Sequence, residues 1–258
     1  MTKLFIKTIR TFSLRFFVVF VTAMLLAAFA NNSPEKQAKN AAKAEALGLL
    51  AGSGRQDQAL NKLLRLSRRG NVVAQREAGL ALAFHRALPQ QQEGVAWLAK
   101  AANGGDAEAA FTLGEASQSG ALGLARDTAA ATQYFEIAAT RGHAKAALMI
   151  ARILKNGDGI ARSDEQAGVW LKKSAERGNP QAMLLLSNAI ASGDGFSQSN
   201  EQAVYWLEAA ADKHYPPAIQ ALAQATESGL LGLKRDPQAV AELWKEAAEE
   251  SRNHWKTQ

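Results

Sequence analysis

The sequence predicts an all-α fold, a right-handed α-solenoid of helix-turn-helix repeats. Three observations lead to this prediction: a motif that recurs every 36 or 37 residues, a helical spacing of apolar residues inside each copy, and no alternating β-branched run bounded by hairpin turns. The motif is marked by pairs of small residues, namely Ala101-Ala102, Ala138-Ala139, Ser174-Ala175, Ala210-Ala211 and Ala247-Ala248. One structural element is therefore copied five times.

Other positions keep the same register as these pairs. Four residues before each pair stands a large side chain, in order Trp97, Tyr134, Trp170, Trp206 and Leu243. Three residues after each pair comes a residue suited to a turn, in order Gly105, Gly142, Gly178, His214 and Ser251. A large residue beside small ones is typical of helices in close contact, so we expect the aromatic side chains to fill the core between helices.

The third copy shows the two helices of the repeat most clearly. Its first helix has one apolar face, formed by Ala146, Ile150, Ala151 and Leu154. Asn156-Gly157-Asp158-Gly159 then forms a turn, and the second helix carries Ala167, Trp170, Ser174 and Ala175. Spacings of three, four and seven residues place such side chains on one side of a helix.

These markers divide the chain into seven segments. Residues 1–30 form a signal peptide or an N-terminal membrane anchor, and residues 31–70 form a linker with a degenerate capping repeat. Four repeats follow, over residues 71–105, 106–142, 143–178 and 179–214. Residues 215–258 contain the fifth repeat and a charged C-terminal capping helix, because the terminal repeats of a solenoid need solvated faces.

The first 30 residues have the pattern of an export signal. Residues 1–15 carry four basic residues and no acid, and residues 16–30 are apolar apart from Thr22. Ala28 and Ala30 predict cleavage after Ala30. The alternative is an uncleaved inner-membrane anchor with periplasmic repeats, although a spanning helix needs roughly 20 apolar residues. We therefore expect a periplasmic or secreted protein, with the anchored form as the alternative.

The third copy, AALMIARILKNGDGIARSDEQAGVWLKKSAERG, resembles the Sel-one-like repeat, a relative of the tetratricopeptide repeat. The resemblance covers residues 71–251 well and 35–70 poorly. It implies an adaptor that holds protein complexes together, among them complexes of the bacterial envelope, and it implies no reaction. Some cysteine-rich relatives are linked to β-lactam binding, which does not carry over to a chain without cysteine.

Nothing in the sequence predicts an active site, a metal or a cofactor. The four histidines, His85, His143, His214 and His254, fall in different copies without the spacing of metal ligands. His143 and His214 lie at turns between copies and are expected to be solvated turn residues. Asn156–Gly159 and Ser192–Gly195 lack the further ligands of a calcium loop and are expected to be plain turns. Four of the six net positive charges lie in the first 15 residues, so we expect no nucleic-acid partner.

A candidate partner-binding row follows from the first helix of each copy. The residue six positions after its first core alanine lies nearly opposite the core, at about 100° per residue. The row consists of Leu80, Glu115, Arg152, Asn188 and Gln224. These residues change chemical type between copies, as a recognition surface would, and we expect them on the inner curve of the solenoid. A neutral solvent-facing row is the alternative.

The predicted function is an exported, non-enzymatic adaptor that mediates protein–protein interactions in the bacterial envelope. The alternatives are a regulator or enzyme of envelope glycan remodelling or polysaccharide export, and a secreted factor that contacts host proteins. Membrane contact is expected only through residues 1–30, if they are not cleaved. A basic cluster on an early helix is expected to be an ordinary solvated face or a contact with an acidic partner or phospholipid: Lys62, Arg65, Arg68 and Arg69.

Overall fold

The computed structural model describes residues 34–52, 56–84 and 87–256, so the predicted signal segment lies outside the described residues. All regular structure in these ranges is helical, which confirms the all-α prediction. The helices are α1 Pro34–Gly52, α2 Gln56–Arg68, α3 Val72–Ala83, α4 Leu88–Asn103, α5 Ala107–Ser119, α6 Thr128–Thr140, α7 Ala144–Asn156, α8 Asp164–Glu176, α9 Pro180–Ser192, α10 Asn200–Ala211, α11 Pro216–Ser228 and α12 Pro237–Lys256. A 3₁₀ turn, Leu230–Gly232, precedes α12. None of these helices is long and apolar enough to cross a membrane.

The chain divides into two compact units, residues 1–81 and residues 82–258. In the first unit, α1 and α2 pack on each other as the pair predicted for the degenerate N-terminal copy. Its core is small and aliphatic, because alanines on all three helices let their backbones approach closely. The core residues of this unit are Ala44, Leu47, Ala51, Ala59, Leu63, Ala74 and Ala78.

In the second unit each helix packs on the next one along the chain, as expected for a solenoid of helix pairs. The first helices α5, α7, α9 and α11 all end at a glycine with a left-handed backbone. In the third copy this is Gly157, with φ 73°, and Gly159 has the same φ. A side chain at either position would be strained, which is why the copies keep paired glycines here. Asn156–Gly159 is a plain turn, as predicted.

Six consecutive helices of the second unit, α5 to α10, begin at a side-chain cap. Asp106, His143 and Asn179 precede α5, α7 and α9, and each accepts a hydrogen bond from the backbone N–H three residues later. Asp127, Ser163 and Ser199 do the same for α6, α8 and α10. Each cap pairs a backbone donor that the helix itself leaves without a partner. The repeat boundaries therefore have a local cause in the sequence.

The repeated aromatic residues are less buried than the sequence suggested. Trp97 is 8% exposed, but Tyr134, Trp170 and Trp206 are only half-buried. The side chain one position further fills the core in most copies, and these residues are Leu98, Phe135 and Leu207. Lys173 lies 4.1 Å above the Trp170 ring, so this indole packs partly under a charged side chain. The prediction of core packing holds fully for Trp97 and only in part for the others.

Candidate partner-binding site

The predicted row faces solvent at four of its five positions. Glu115, Arg152, Asn188 and Gln224 are exposed, whereas Leu80 on α3 is half-buried. The neighbours of Arg152 on α7 show why, because Ala151 and Ile153 are 5% and 1% exposed. The helical period thus turns the row outward while the adjacent positions enter the core.

An open groove of about 510 Å³ lies between α7 and α9 and is floored by α8. Its floor is apolar and is formed by Leu148, Ala151, Ala167 and Leu171. Phe196, in the turn after α9, closes one end. Its ring lies 3.2 Å from the place where a Cβ on Gly168 would stand, so the glycine makes room for it. The groove can hold an apolar side chain beside a rim of polar groups.

Two residues of the predicted row, Arg152 and Asn188, meet in this groove. The other members lie elsewhere: Glu115 forms an ion pair with Lys145, 3.2 Å between Nζ and Oε1, and Gln224 lies on α11. Leu80 belongs to the first unit. Of the five residues in the row, the structure brings two, Arg152 and Asn188, together in this groove.

The charges on the rim of the groove are nearly all paired. Lys155 forms an ion pair with Asp194, and Arg162 forms one of 2.8 Å with Asp164. The hydrogen bond from Arg162 lowers the pKa of the Asp164 carboxyl, and the same contact raises the pKa of Arg162. The Arg152 guanidinium, by contrast, has no hydrogen bond or ion pair with any described residue. It is the cation in this groove that is left for a ligand.

Sequence reasoning missed several residues of the groove. Gln181 and Leu185 come from α9, and Phe196 comes from the turn that follows it. Leu185 is 39% exposed although it is apolar, and the side-chain amide of Gln181 makes no hydrogen bond within the described part of the chain. Leu185 stands three residues before Asn188 and Gln181 stands seven before it, so helical spacing offered a signal for both. No sequence pattern placed Phe196 at the groove.

The histidines have two different roles. His214 is a solvated turn residue, as predicted, with a side chain 66% exposed. His143 is not: its ring stacks on Phe111 at 4.3 Å between centroids, and its Nδ1 accepts the Ala146 N–H at 3.1 Å. Nε2 therefore carries the proton and donates it to Glu108 at 3.2 Å. The described residues contain no cluster that could hold a metal ion.

The chain matches the model of the Sel1 repeat five times, over residues 73–106, 107–143, 144–179, 180–215 and 216–251. These matches cover more than half of the chain without a gap, so the chain belongs to the Sel1 repeat family. Sel1 repeats generally mediate protein–protein interactions, and the family is generally of a non-catalytic scaffold type. The resemblance inferred from the sequence is confirmed.

Solved structures support the same fold. The crystal structure of a Sel1 repeat protein from Oxalobacter formigenes is 24% identical, with a TM-score of 0.69 over 86% of this chain and 93% of that one. The structure of c5321, a protective antigen of uropathogenic Escherichia coli strains that displays an SLR fold, is 23% identical with a TM-score of 0.69. The alignment covers 88% of this chain and 48% of c5321, so the chain spans about half the length of that protein. Among curated proteins, no sequence matches the chain.

Proposed function

We propose that this protein is an exported adaptor of the bacterial envelope that binds a segment of a partner protein in the groove between α7 and α9. It catalyses no reaction and needs no cofactor. The observation that carries the proposal is Arg152, a cation without a partner among the described residues, at the rim of an open groove with an apolar floor. Such a site suits a peptide that offers a carboxylate next to an apolar side chain.

Each part of the groove would contact a different group of that segment. The planar guanidinium of Arg152 can bind a carboxylate through two parallel hydrogen bonds. The amides of Asn188 and Gln181 offer donors and acceptors to peptide groups. Leu148 and Leu171 form an apolar surface on which one aliphatic or aromatic side chain can be buried. A binding site of this kind is anchored by a few residues, and arginine is common among them.

Export rests on the first 30 residues, where a basic segment precedes an apolar run and an Ala-x-Ala site. Cleavage after Ala30 yields a protein that begins at Asn31. N-terminal sequencing of the protein from its own host tests this proposal. An intact N-terminus on a membrane-bound form would support the anchored alternative instead.

Photo-crosslinking tests the groove directly. The substitution Leu185→p-benzoylphenylalanine places a crosslinker at the rim of the groove, at a residue that is 39% exposed. The matched control is the same substitution at Tyr205 on α10, which is 62% exposed and lies outside the groove. We expect the Leu185 variant to give a discrete adduct with one envelope protein, identified by mass spectrometry, and the Tyr205 variant to give none.

The adduct must also depend on Arg152. Arg152→Ala in the Leu185 variant should remove the adduct, whereas Arg126→Ala, at another exposed arginine, should leave it in place. An adduct from Tyr205 alone, or one that survives Arg152→Ala, would place the binding surface outside this groove and refute the proposal.

A further inference from the structure

The two compact units carry charges of opposite sign. Residues 34–81 contain nine basic and four acidic residues, a net charge of +5. Residues 82–258 contain 17 basic and 20 acidic residues, a net charge of −3. Apart from the four basic residues among residues 1–15, the positive charge of the protein is therefore concentrated in the part of the chain that follows the apolar run at residues 16–30.

On α1 the basic residues form one stripe. Lys36, Lys39 and Lys43 are exposed and follow each other at steps of three and four residues. Leu50, seven residues after Lys43, continues the stripe and is 48% exposed although it is apolar. At about 100° per residue, all four side chains project from the same side of the helix. The stripe thus combines three cations with an apolar residue at its end.

The stripe on α1 lies on a different side of the helix from the contact with α3. On the side of that contact, Arg76 of α3 forms an ion pair of 3.4 Å with Glu45 of α1. The Glu77 carboxylate of α3 lies directly over Gly48 of α1. At about 100° per residue, Glu45 and Gly48 lie on the opposite side of α1 from the lysines. Both acids of this contact form ion pairs with Arg76 on the α3 side of α1. Glu35, in the first turn of α1, is the acid nearest to the stripe on that helix.

A second stripe runs along α2. Lys62 and Arg65 are exposed on α2 and are three residues apart, and Arg68, the last residue of the helix, and Arg69, in the turn that follows, are exposed as well. On each helix the stripe is rotated about the helix axis by roughly 80–120° from the buried face. The direction of this rotation is the same for both helices when each is viewed from its N-terminus. Only three residues connect α1 and α2, and helices joined by so short a connection are antiparallel. When two antiparallel helices face each other, stripes that are rotated from the buried face in the same direction lie on the same side of the pair. The basic face consists of Lys36, Lys39, Lys43, Lys62, Arg65 and Arg69.

We propose that this basic face docks the protein on the surface of an anionic phospholipid bilayer. Clusters of basic residues next to a membrane-directed segment are attracted by acidic lipid headgroups, each residue adding to the binding. The apolar run ends three residues before α1, so an anchored chain would hold the basic face within reach of the headgroups. Leu50 can enter the interface beside them. This contact is independent of the groove between α7 and α9, which lies in the second unit.

Lysine labelling of the full-length protein tests the proposal even if residues 16–30 insert into every vesicle. The protein is mixed with vesicles of phosphatidylcholine alone or of equal parts phosphatidylcholine and phosphatidylglycerol, and an amine-reactive reagent is followed by mass spectrometry. We expect labelling of Lys39, Lys43 and Lys62 to slow by at least about threefold on the anionic vesicles. Labelling of lysines in the second unit should not change: Lys213, Lys234 and Lys245. High salt should abolish the difference, since it screens exposed charges.

Charge reversal gives the matched comparison. Arg65→Glu combined with Arg68→Glu and Arg69→Glu should remove the protection of the three lysines. Lys213→Glu combined with Lys234→Glu and Lys245→Glu changes the net charge equally and should preserve it. Equal labelling of the wild-type protein on both kinds of vesicle would overturn the proposal, as would protection that survives reversal of the three arginines. Protection of all lysines alike would indicate a non-specific association and would also overturn it.

Discussion

The junction between α5 and α7 and the junction between α7 and α9 share one repeat but present different surfaces. At the first, Phe111 is 4% exposed, because the His143 ring stacks on it and the Lys145 ammonium lies 4.8 Å above it. Lys145 also reaches Glu115, 3.2 Å away, so the charges at this junction are paired. This junction is filled by its own side chains.

At the second junction every equivalent position holds a different residue. Leu148 stands 37 residues after Phe111, Arg152 stands 37 after Glu115, and Gln181 stands 36 after Lys145. An amide and a guanidinium cannot form an ion pair, so Arg152 is left without a partner among the described residues. Leu148 is itself only 2% exposed, and the groove opens beside it, where Leu171 and Leu185 also line it. Complementarity between successive copies, and not the backbone they share, decides which junction can receive a ligand.

The largest effect is expected from truncating the residue that fills the first junction. Phe111→Ala should lower the free energy of unfolding by about 3–5 kcal/mol, the range for a buried phenylalanine, since its ring also contacts Phe135. Leu185→Ala, at the open groove, should cost about 1 kcal/mol or less because that side chain is already partly solvated. Chemical denaturation measures both. Equal losses would mean that the two junctions are packed alike.

The double variant Arg152→Glu, Gln181→Lys installs the ion pair of the first junction at the second. It should weaken partner binding by about 2 kcal/mol or more, roughly thirtyfold, because a carboxylate ligand would lose its cation and meet an anion. Stability should change by about 1 kcal/mol or less, as for other surface pairs.

The matched control for that variant is Glu115→Lys with Lys145→Glu, which reverses the existing pair without changing the net charge. We expect this control to bind the partner with the affinity of the wild type. The measurement is a titration with the purified envelope protein that the crosslinking experiment identifies. If the control were as defective as the groove variant, binding would depend on the first junction and the comparison would fail.

A smaller effect on stability is expected from His143, which caps α7 and stacks on Phe111 of the preceding copy. His143→Ala should cost about 1–2 kcal/mol, because α7 loses its N-cap and Phe111 loses its stacking partner. His143→Asn should recover part of this loss, since Asn179 caps α9 at the equivalent position. Thermal unfolding followed by circular dichroism distinguishes the variants. An asparagine variant no better than alanine would assign the whole effect to the stacked ring.

The smallest effect is expected from the ion pair at the filled junction. Lys145→Ala should change the free energy of unfolding by about 0–1 kcal/mol, because Lys145 and Glu115 are 58% and 48% exposed. The pair would then matter for the shape and charge of the surface more than for stability. A loss comparable to that of Phe111→Ala would contradict this assignment.

Much of the fold could be predicted from the sequence, because its causes are local and repeated. The spacing of small and apolar residues predicted the helices, and glycines such as Gly157 and Gly159 predicted the turns that separate them. The outward direction of Glu115, Arg152, Asn188 and Gln224 followed from the helical period alone. Leu80 departs from the predicted outward direction, because packing in the first unit half-buries it.

Contacts between successive copies could not be predicted, because no local pattern contains them. His143 resembled a solvated turn residue until the fold brought it against Phe111 from the preceding copy. Trp170 resembled a core residue, yet the fold left it half-buried under Lys173. Burial and pairing between copies depend on which side chains face each other across about 36 residues, and single-helix periodicity does not report this.

The sequence by itself determined the repeat, the helix pairs and the turns. The tertiary structure alone decided that Arg152 and Asn188 share one groove, that Phe196 closes it, and that Glu115 is already paired. The physical reason is that helix formation and exposure are governed by residues a few positions apart. A binding groove arises where side chains from α7, α8 and α9 fail to fill the space between them.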